Sequence, residues 1–231
     1  MSRRKYGQQA CSVACALDQV GERWTLLIVR ELSLGPSRFS DLARAVGGAP
    51  TDVLTKRLRD LEQGGIVRRR ELDPPVSAVA YELTDLGRGL ERPLIELGRW
   101  GLNLQQPSDV AEIEPTSLPN ALRVILRPPD DASLEIDLRS GGQAYRLRIE
   151  DGWIAAARGE AKDADLALSG TPWEVMATLI AAEEGEGGAE VEGDRAALEE
   201  LRAMVELPDR LRDAALAGVG DPESAAAARA S

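Results

Sequence analysis

The chain has 231 residues, enough for two domains of modest size that each bury a core of their own. Apolar residues make up 43% of it, yet no run comes near the roughly 18 consecutive apolar residues of a membrane span, so no membrane partner is expected. Histidine is absent, which removes histidine-dependent nucleophilic machinery and most transition-metal sites; with no glycine-rich phosphate loop, paired-acid motif or CxxC either, neither an enzyme nor a metal or other cofactor is expected.

Charge is unevenly spread. Residues 1–106 hold 16 basic and 13 acidic side chains, net +3, whereas the remainder hold 12 and 26, net −14. A polyanion site on so acidic a chain has to rest on a local basic patch, and the first residues together with Lys56 to Arg70 supply one. The basic start leads to no apolar stretch of secretion-signal type, and Cys11 and Cys15, four positions apart, cannot staple a fold of this size. Both features point to a reducing, cytoplasmic setting.

In chain order, a short helix ends at Gly21, a second runs through Arg23 to Leu32, and a turn at Gly35-Pro36 leads into Arg38 to Leu42. Residues 51 to 63 place Leu54, Leu58 and Leu61 at i, i+4 and i+7 with Lys56, Arg57 and Arg59 between them: a helix with an apolar stripe and a basic surface, stopped by Gly64-Gly65. Ile66 to Arg70 and Ala80 to Thr84 are strand-like, joined by a proline-rich tip at 73–77. Helix, helix, basic helix and hairpin form a winged helix-turn-helix. A long helix from Asp85 to Leu104 follows, with Leu86, Leu90, Leu94, Leu97 and Trp100 along one side.

The stretch 107–119 is polar and broken by three prolines, which is linker chemistry. Beyond it come a short helix at 121–126, then alternating strands at 133–139 and 144–150 around Gly141-Gly142, and a third strand at 153–158 after Asp151-Gly152. A fourth strand spans 165–169; Thr171-Pro172 opens an apolar helix, 189–192 is an edge strand, and Asp194 caps a helix holding Leu198, Leu201 and Val205. The domains expected are 1–106, winged helix; 107–119, linker; 120–208, an α+β domain with an antiparallel sheet and packed helices; and 209–231, a fraying tail.

Cys11, Gly21, Trp24 to Leu32, Gly35, Arg38-Phe39, Leu42, Leu54 to Leu61, Gly65 to Val67 and Tyr81 to Gly87 together resemble the HxlR family of bacterial winged-helix regulators. Asp151-Gly152, Ala164 to Gly170 with its following helix, and Val191 to Asp194 with another resemble the sterol-carrier-protein-like fold. The first resemblance implies a homodimer on a two-fold operator in double-stranded DNA. The helix at 51–63 would enter the major groove, with Asp52, Thr55, Lys56 and Arg59 opposite the leucines, Thr51 at its start and Arg38 before it. Arg68, Arg69 and Arg70 would meet backbone phosphates. Without the winged-helix frame the same charges would be a solvated helix face. Family members usually open this helix with serine, proline and a basic residue, where this chain has Pro50-Thr51-Asp52; Asp52 would repel phosphates unless it accepts a hydrogen bond from a cytosine amino group. The tip at 73–78 also lacks the basic residue many members carry.

Cys11 stands where some members carry a redox-sensing thiol, with Cys15 one turn away. Two readings stay open: sensing through an intersubunit bond or adduct, or small side chains packed in a dimer helix. The dimer would use residues 11–20 and the helix at 85–104. In the second domain Trp153, Trp173, Met176, Leu179 and Ile180 either line a cavity for an apolar effector or are ordinary core. The sequence thus indicates a DNA-binding transcriptional regulator with a possible effector domain; the alternative is a lipid-binding or carrier protein whose winged helix serves only dimerisation.

Overall fold

A computed structural model describes residues 11–71, 78–106, 113–181 and 187–217. The chain divides between Leu94 and Ile95 into two units, residues 1–94 and 95–231. The division falls inside the helix that the sequence assigns whole to the first domain.

In the first unit α1 (Ser12–Val20), α2 (Thr25–Leu32), α3 (Phe39–Ala45) and α4 (Thr51–Gln63) surround a core of Ile28, Val29, Leu32, Leu42, Leu54, Leu58 and Leu61. Each leucine of the α4 stripe is 1% exposed or less, so burial of three large aliphatic side chains, about 1.5–3 kcal/mol each, fixes the helix's rotation. A paired terminal motif ends α4: Gly65 N–H donates to Glu62 O at 3.1 Å and Ile66 N–H to Leu61 O at 3.0 Å. Gly65 has φ +69°, the left-handed conformation this ending needs, which explains the second glycine of the pair. Strands β1 (Ser37–Arg38), β2 (Val67–Glu71) and β3 (Val79–Leu83) form an antiparallel sheet in the order β1-β3-β2. The expected wing tip at 73–77 lies outside the described residues.

The expected helix from Asp85 to Leu104 is two: α5 (Asp85–Arg88) and α6 (Glu91–Gly101). Pro93 has no N–H to give to the carbonyl of Gly89, and its ring would strike it, so the chain turns at Gly89-Leu90 and places Pro93 in the first turn of α6. Leu90 and Leu94 consequently pack on the first unit's core, while Leu86, Leu97 and Trp100 are exposed, so the five do not share one free side. Thr84 caps α5, accepting from Gly87 N–H at 3.1 Å and donating to Gly65 O at 2.6 Å.

The second unit has a 3-10 turn (Pro115–Ser117), helix α7 (Leu118–Ile125), and strands β4 (Leu134–Ser140), β5 (Gln143–Glu150) and β6 (Trp153–Arg158). Strand β7 (Leu166–Ser169), helix α8 (Pro172–Ile180), strand β8 (Glu190–Gly193), helix α9 (Arg195–Ala203) and helix α10 (Asp209–Ala217) follow. The sheet order is β6-β5-β4-β7-β8. Both hairpin turns have positive φ at two successive residues, Gly141-Gly142 and Asp151-Gly152, as tight two-residue turns require.

The antiparallel sheet expected from the sequence is corrected at one pairing: β7 lies parallel to β4, Ile136 opposite Leu166. The segment 159–165 crosses the sheet to reach that position, tied down by Ala161 N–H to Asp137 Oδ1 and Glu135 N–H to Asp165 Oδ2, both 2.8 Å. Asp137, 2% exposed, is a buried carboxylate whose other oxygen takes a hydrogen bond from Arg139 at 2.7 Å. Capping runs as the sequence indicates: Thr171 and Glu174 cap α8 reciprocally, and Asp194 accepts from Ala196 N–H at 2.8 Å.

Two other boundaries differ from the sequence reading. Leu118, expected in the linker, is fully buried in α7; residues 107–112 lie outside the described residues. Residues 209–217, expected to fray, form α10 because Leu211 and Ala215, one turn apart, are both buried; residues 218–231 lie outside the described residues. A methyl group on Gly87 would sit 2.2 Å from the carbonyl oxygen of Ile66, whereas one on Gly101 meets nothing within 4 Å. Gly87→Ala is therefore expected to lower stability by about 1–3 kcal/mol. Gly101→Ala, in α6, is expected to raise it by about 0.4–1 kcal/mol. Urea unfolding followed by circular dichroism measures both.

Candidate nucleic-acid interface

With the leucine stripe of α4 buried, the opposite side of the helix faces solvent. Thr51, Asp52, Thr55, Lys56 and Arg59 are all exposed there. The Thr55 hydroxyl donates to Thr51 O at 2.7 Å, so its proton is committed and its lone pairs point outward as acceptors. Asp52 and Lys56, one turn apart, form no ion pair with each other or with any described residue, and Arg59 has none either. Arg57 differs: only 14% exposed at its side chain, it pairs with Glu22 at 2.7 Å and Asp60 at 3.0 Å. It anchors α4 to the turn before α2 and is not available to a ligand.

Arg38, half-buried, ends β1 and immediately precedes α3. The three arginines of β2 alternate as a strand demands. Arg68 stands opposite Glu82 in the register and donates to it at 2.7 Å, while Arg70 reaches the same carboxylate at 3.3 Å. Arg69 points the other way, 3.3 Å from Glu62 and 5.7 Å above the Tyr81 ring. All three side chains stay more than half exposed, so each is held in place by an acid yet still faces solvent. The sequence reading missed Glu62, Glu82 and the Arg57 clamp. Alternation along 68–70 was visible, but the acid opposite it depends on strand register across residues 72–77, which no local pattern supplies.

Two further features bear on this unit. Trp24, before α2, has φ 75°, a left-handed backbone on a bulky residue that costs about 1–2 kcal/mol; the Arg23 guanidinium lies 4.6 Å over its ring. Cys11 and Cys15 are both free and exposed, with Cys15 N–H donating to Cys11 O at 3.0 Å. Within one chain both thiols face solvent.

In the second unit Met176, Leu179 and Ile180 are buried core residues of α8, and Trp153 and Trp173 are half-buried. Trp153 carries Arg123 at 5.2 Å over its ring, and that buried arginine also donates to Ile154 O at 3.1 Å. An open cleft of about 410 Å³ lies elsewhere, lined by Arg139 to Ala144, Glu160 and Gly170, and includes none of the five expected cavity residues.

A short helix pair, a helix with a buried stripe and a free polar face, and a two-stranded wing define a winged helix-turn-helix protein. Residues 19–109 match the family model described as HxlR-like helix-turn-helix. The chain is 43% identical over 90 residues to an uncharacterized HTH-type transcriptional regulator of Mycobacterium tuberculosis, covering 39% of this chain and 56% of that one. It is 35% identical over 103 residues to the uncharacterized HTH-type transcriptional regulator YtcD of Bacillus subtilis, covering 45% and 79%. Among solved structures, the reduced form of the transcriptional regulator YodB from B. subtilis is similar at 32% identity and TM-score 0.37, over 40% of this chain and 92% of that one. The chain belongs to the HxlR-like helix-turn-helix family. It spans little more than half the length of its mycobacterial relative.

Burial works against the charge of Glu82, but hydrogen bonds and attraction from Arg68 and Arg70 outweigh it and hold the carboxyl below its usual value of 4.5. A depressed pKa stabilises the fold above the unfolded value, and that stabilisation is lost as pH falls through the folded one. Glu82→Gln is therefore expected to lower the melting temperature at pH 7 and to weaken its fall below pH 4.5. Melting curves from pH 7 to about pH 3 check this; parallel curves for parent and variant would remove the ion pairs from the account.

Proposed function

We propose that the protein is a DNA-binding transcriptional regulator that acts as a homodimer on a two-fold operator, with α4 in the major groove and β2 along the phosphates. The observation that carries this reading is the division of α4: Leu54, Leu58 and Leu61 are sealed in the core, while Thr51, Asp52, Thr55, Lys56 and Arg59 face outward. Family membership supports it, and so do the three held but solvent-facing arginines of β2, which suit phosphate contact. Val13 and Leu17 of α1 and Leu86 of α5 are exposed apolar side chains, between 41% and 66%, that a second copy would cover. The cysteines of α1 would then stand at or beside that interface, where oxidation or an adduct would be felt by the dimer.

The second unit is read as an effector domain of sterol-carrier-like architecture. Its five-stranded sheet with apolar helices supports that reading, with Trp153, Trp173, Met176, Leu179 and Ile180 as the residues an apolar ligand would meet.

In titrations of duplex carrying a palindrome from upstream of the protein's own gene, two chains are expected per site. Arg59→Ala is expected to cost about 1–3 kcal/mol on the specific site. Arg69→Ala is expected to weaken binding to every sequence and flatten the salt dependence by about one unit. Parent-like binding by both variants would place the DNA surface elsewhere. For the second unit, uptake of fatty acyl or isoprenoid compounds with ligand-dependent loss of DNA affinity is expected, and Trp173→Ala should reduce both while sparing ligand-free DNA binding. Absence of uptake would leave that unit a structural module.

A further inference from the structure

In the first turns of α4, Asp52 and Thr55 present hydrogen-bond acceptors with no free side-chain proton of their own. Asp52 lies in the first turn, exposed, and leaves Lys56 unpaired although that lysine stands at the i+4 position where an ion pair would form. Thr55, three residues on and on the same side, has its hydroxyl proton bound to Thr51 O at 2.7 Å, so it too offers only lone pairs. Pro50 precedes the helix with no side-chain cap, so neither residue is engaged in capping.

Only two major-groove edges bring an amino donor to such a surface, cytosine N4 and adenine N6. Adenine places the N7 acceptor beside its amino group, which a carboxylate would face lone pair to lone pair. Guanine and thymine offer acceptors there, O6 with N7 and O4. Cytosine has the amino group with only a C–H next to it. Resting on the DNA-binding reading above, we propose that Asp52, supported by Thr55, is a specificity-determining residue that selects cytosine at one position of each half-site. Lys56 and Arg59, one and two turns further along, supply the donors for adjacent guanines or phosphates. The carboxylate also disfavours nonspecific binding, because a register that brings it to a phosphate sets two negative charges together.

An alternative role for Asp52 is stabilisation of the helix N-terminus by its charge, which a stability measurement alone would not separate from readout. Base selection separates them. The intact protein, its Asp52→Asn and its Asp52→Ala variants would each be used to enrich binders from a pool of randomised duplexes, and the sequences compared. The parent is expected to enrich one cytosine per half-site by about fivefold or more over other bases. Asp52→Asn, whose amide both donates and accepts, is expected to move that preference to adenine. Asp52→Ala is expected to abolish the preference at that position alone while raising affinity for unselected DNA. An enriched operator whose base profile is the same in all three proteins would overturn the assignment and leave the DNA-binding reading intact. No enriched sequence with the parent would overturn both.

Discussion

Burial of three leucines on one side of α4 is the constraint on which the first unit depends. Turning the helix by about half a revolution would expose Leu54, Leu58 and Leu61 and bring Lys56 and Arg59 against an aliphatic core. The rotation of the helix is thus set by its apolar side, and the polar side is aimed without needing any contact of its own. Arg57 refines this placement. Its pairs to Glu22 and Asp60 tie the helix to the segment preceding α2, and the glycine-dependent ending at Gly65 fixes where the chain leaves for the wing.

The wing shows a different solution to the same problem of holding long side chains in position. An arginine on a two-stranded ribbon loses much rotamer entropy if ordered only by its ligand. Glu82 and Glu62 order three such arginines in advance. In the DNA-bound state proposed above, a phosphate would share each guanidinium with a carboxylate, so the pairing gives the wing orientation and takes part of its net charge.

Much of this was legible in the sequence because it rests on local rules. The leucine spacing of α4, the Gly64-Gly65 stop, the alternating strands, the two glycine-containing turns of the second unit and the caps at Thr171 and Asp194 each follow from a few neighbouring residues. What was missed depends on distant partners. The parallel placement of β7 goes with contacts between residues some two dozen or more positions apart, among them Ala161 with Asp137 and Glu135 with Asp165. The pairing of Arg68 and Arg70 with Glu82 is decided by register. The turn at Gly89-Leu90 could have been found locally, since Pro93 is incompatible with an uninterrupted helix through it. Exposure of the α4 polar face was legible, whereas the commitment of Thr55's proton and of Arg57 depends on side-chain geometry that spacing alone does not fix.

The crossover in the second unit also imposes an order on folding. Strands β4, β5 and β6 join through tight turns and pair with close neighbours in sequence, so they can assemble quickly. Strand β7 can join this meander only once β4 is set, and its pairing of Ile136 with Leu166 closes a loop of about 30 residues. Strand β8 joins the sheet through β7, its neighbour among the described strands. While the three-stranded meander stands alone, the free edge of β4 is an open template, and a chain emerging from a ribosome carries that edge exposed until residues 166–169 have been made. The interval of greatest aggregation risk is therefore written into the topology, between synthesis of β6 and arrival of β7.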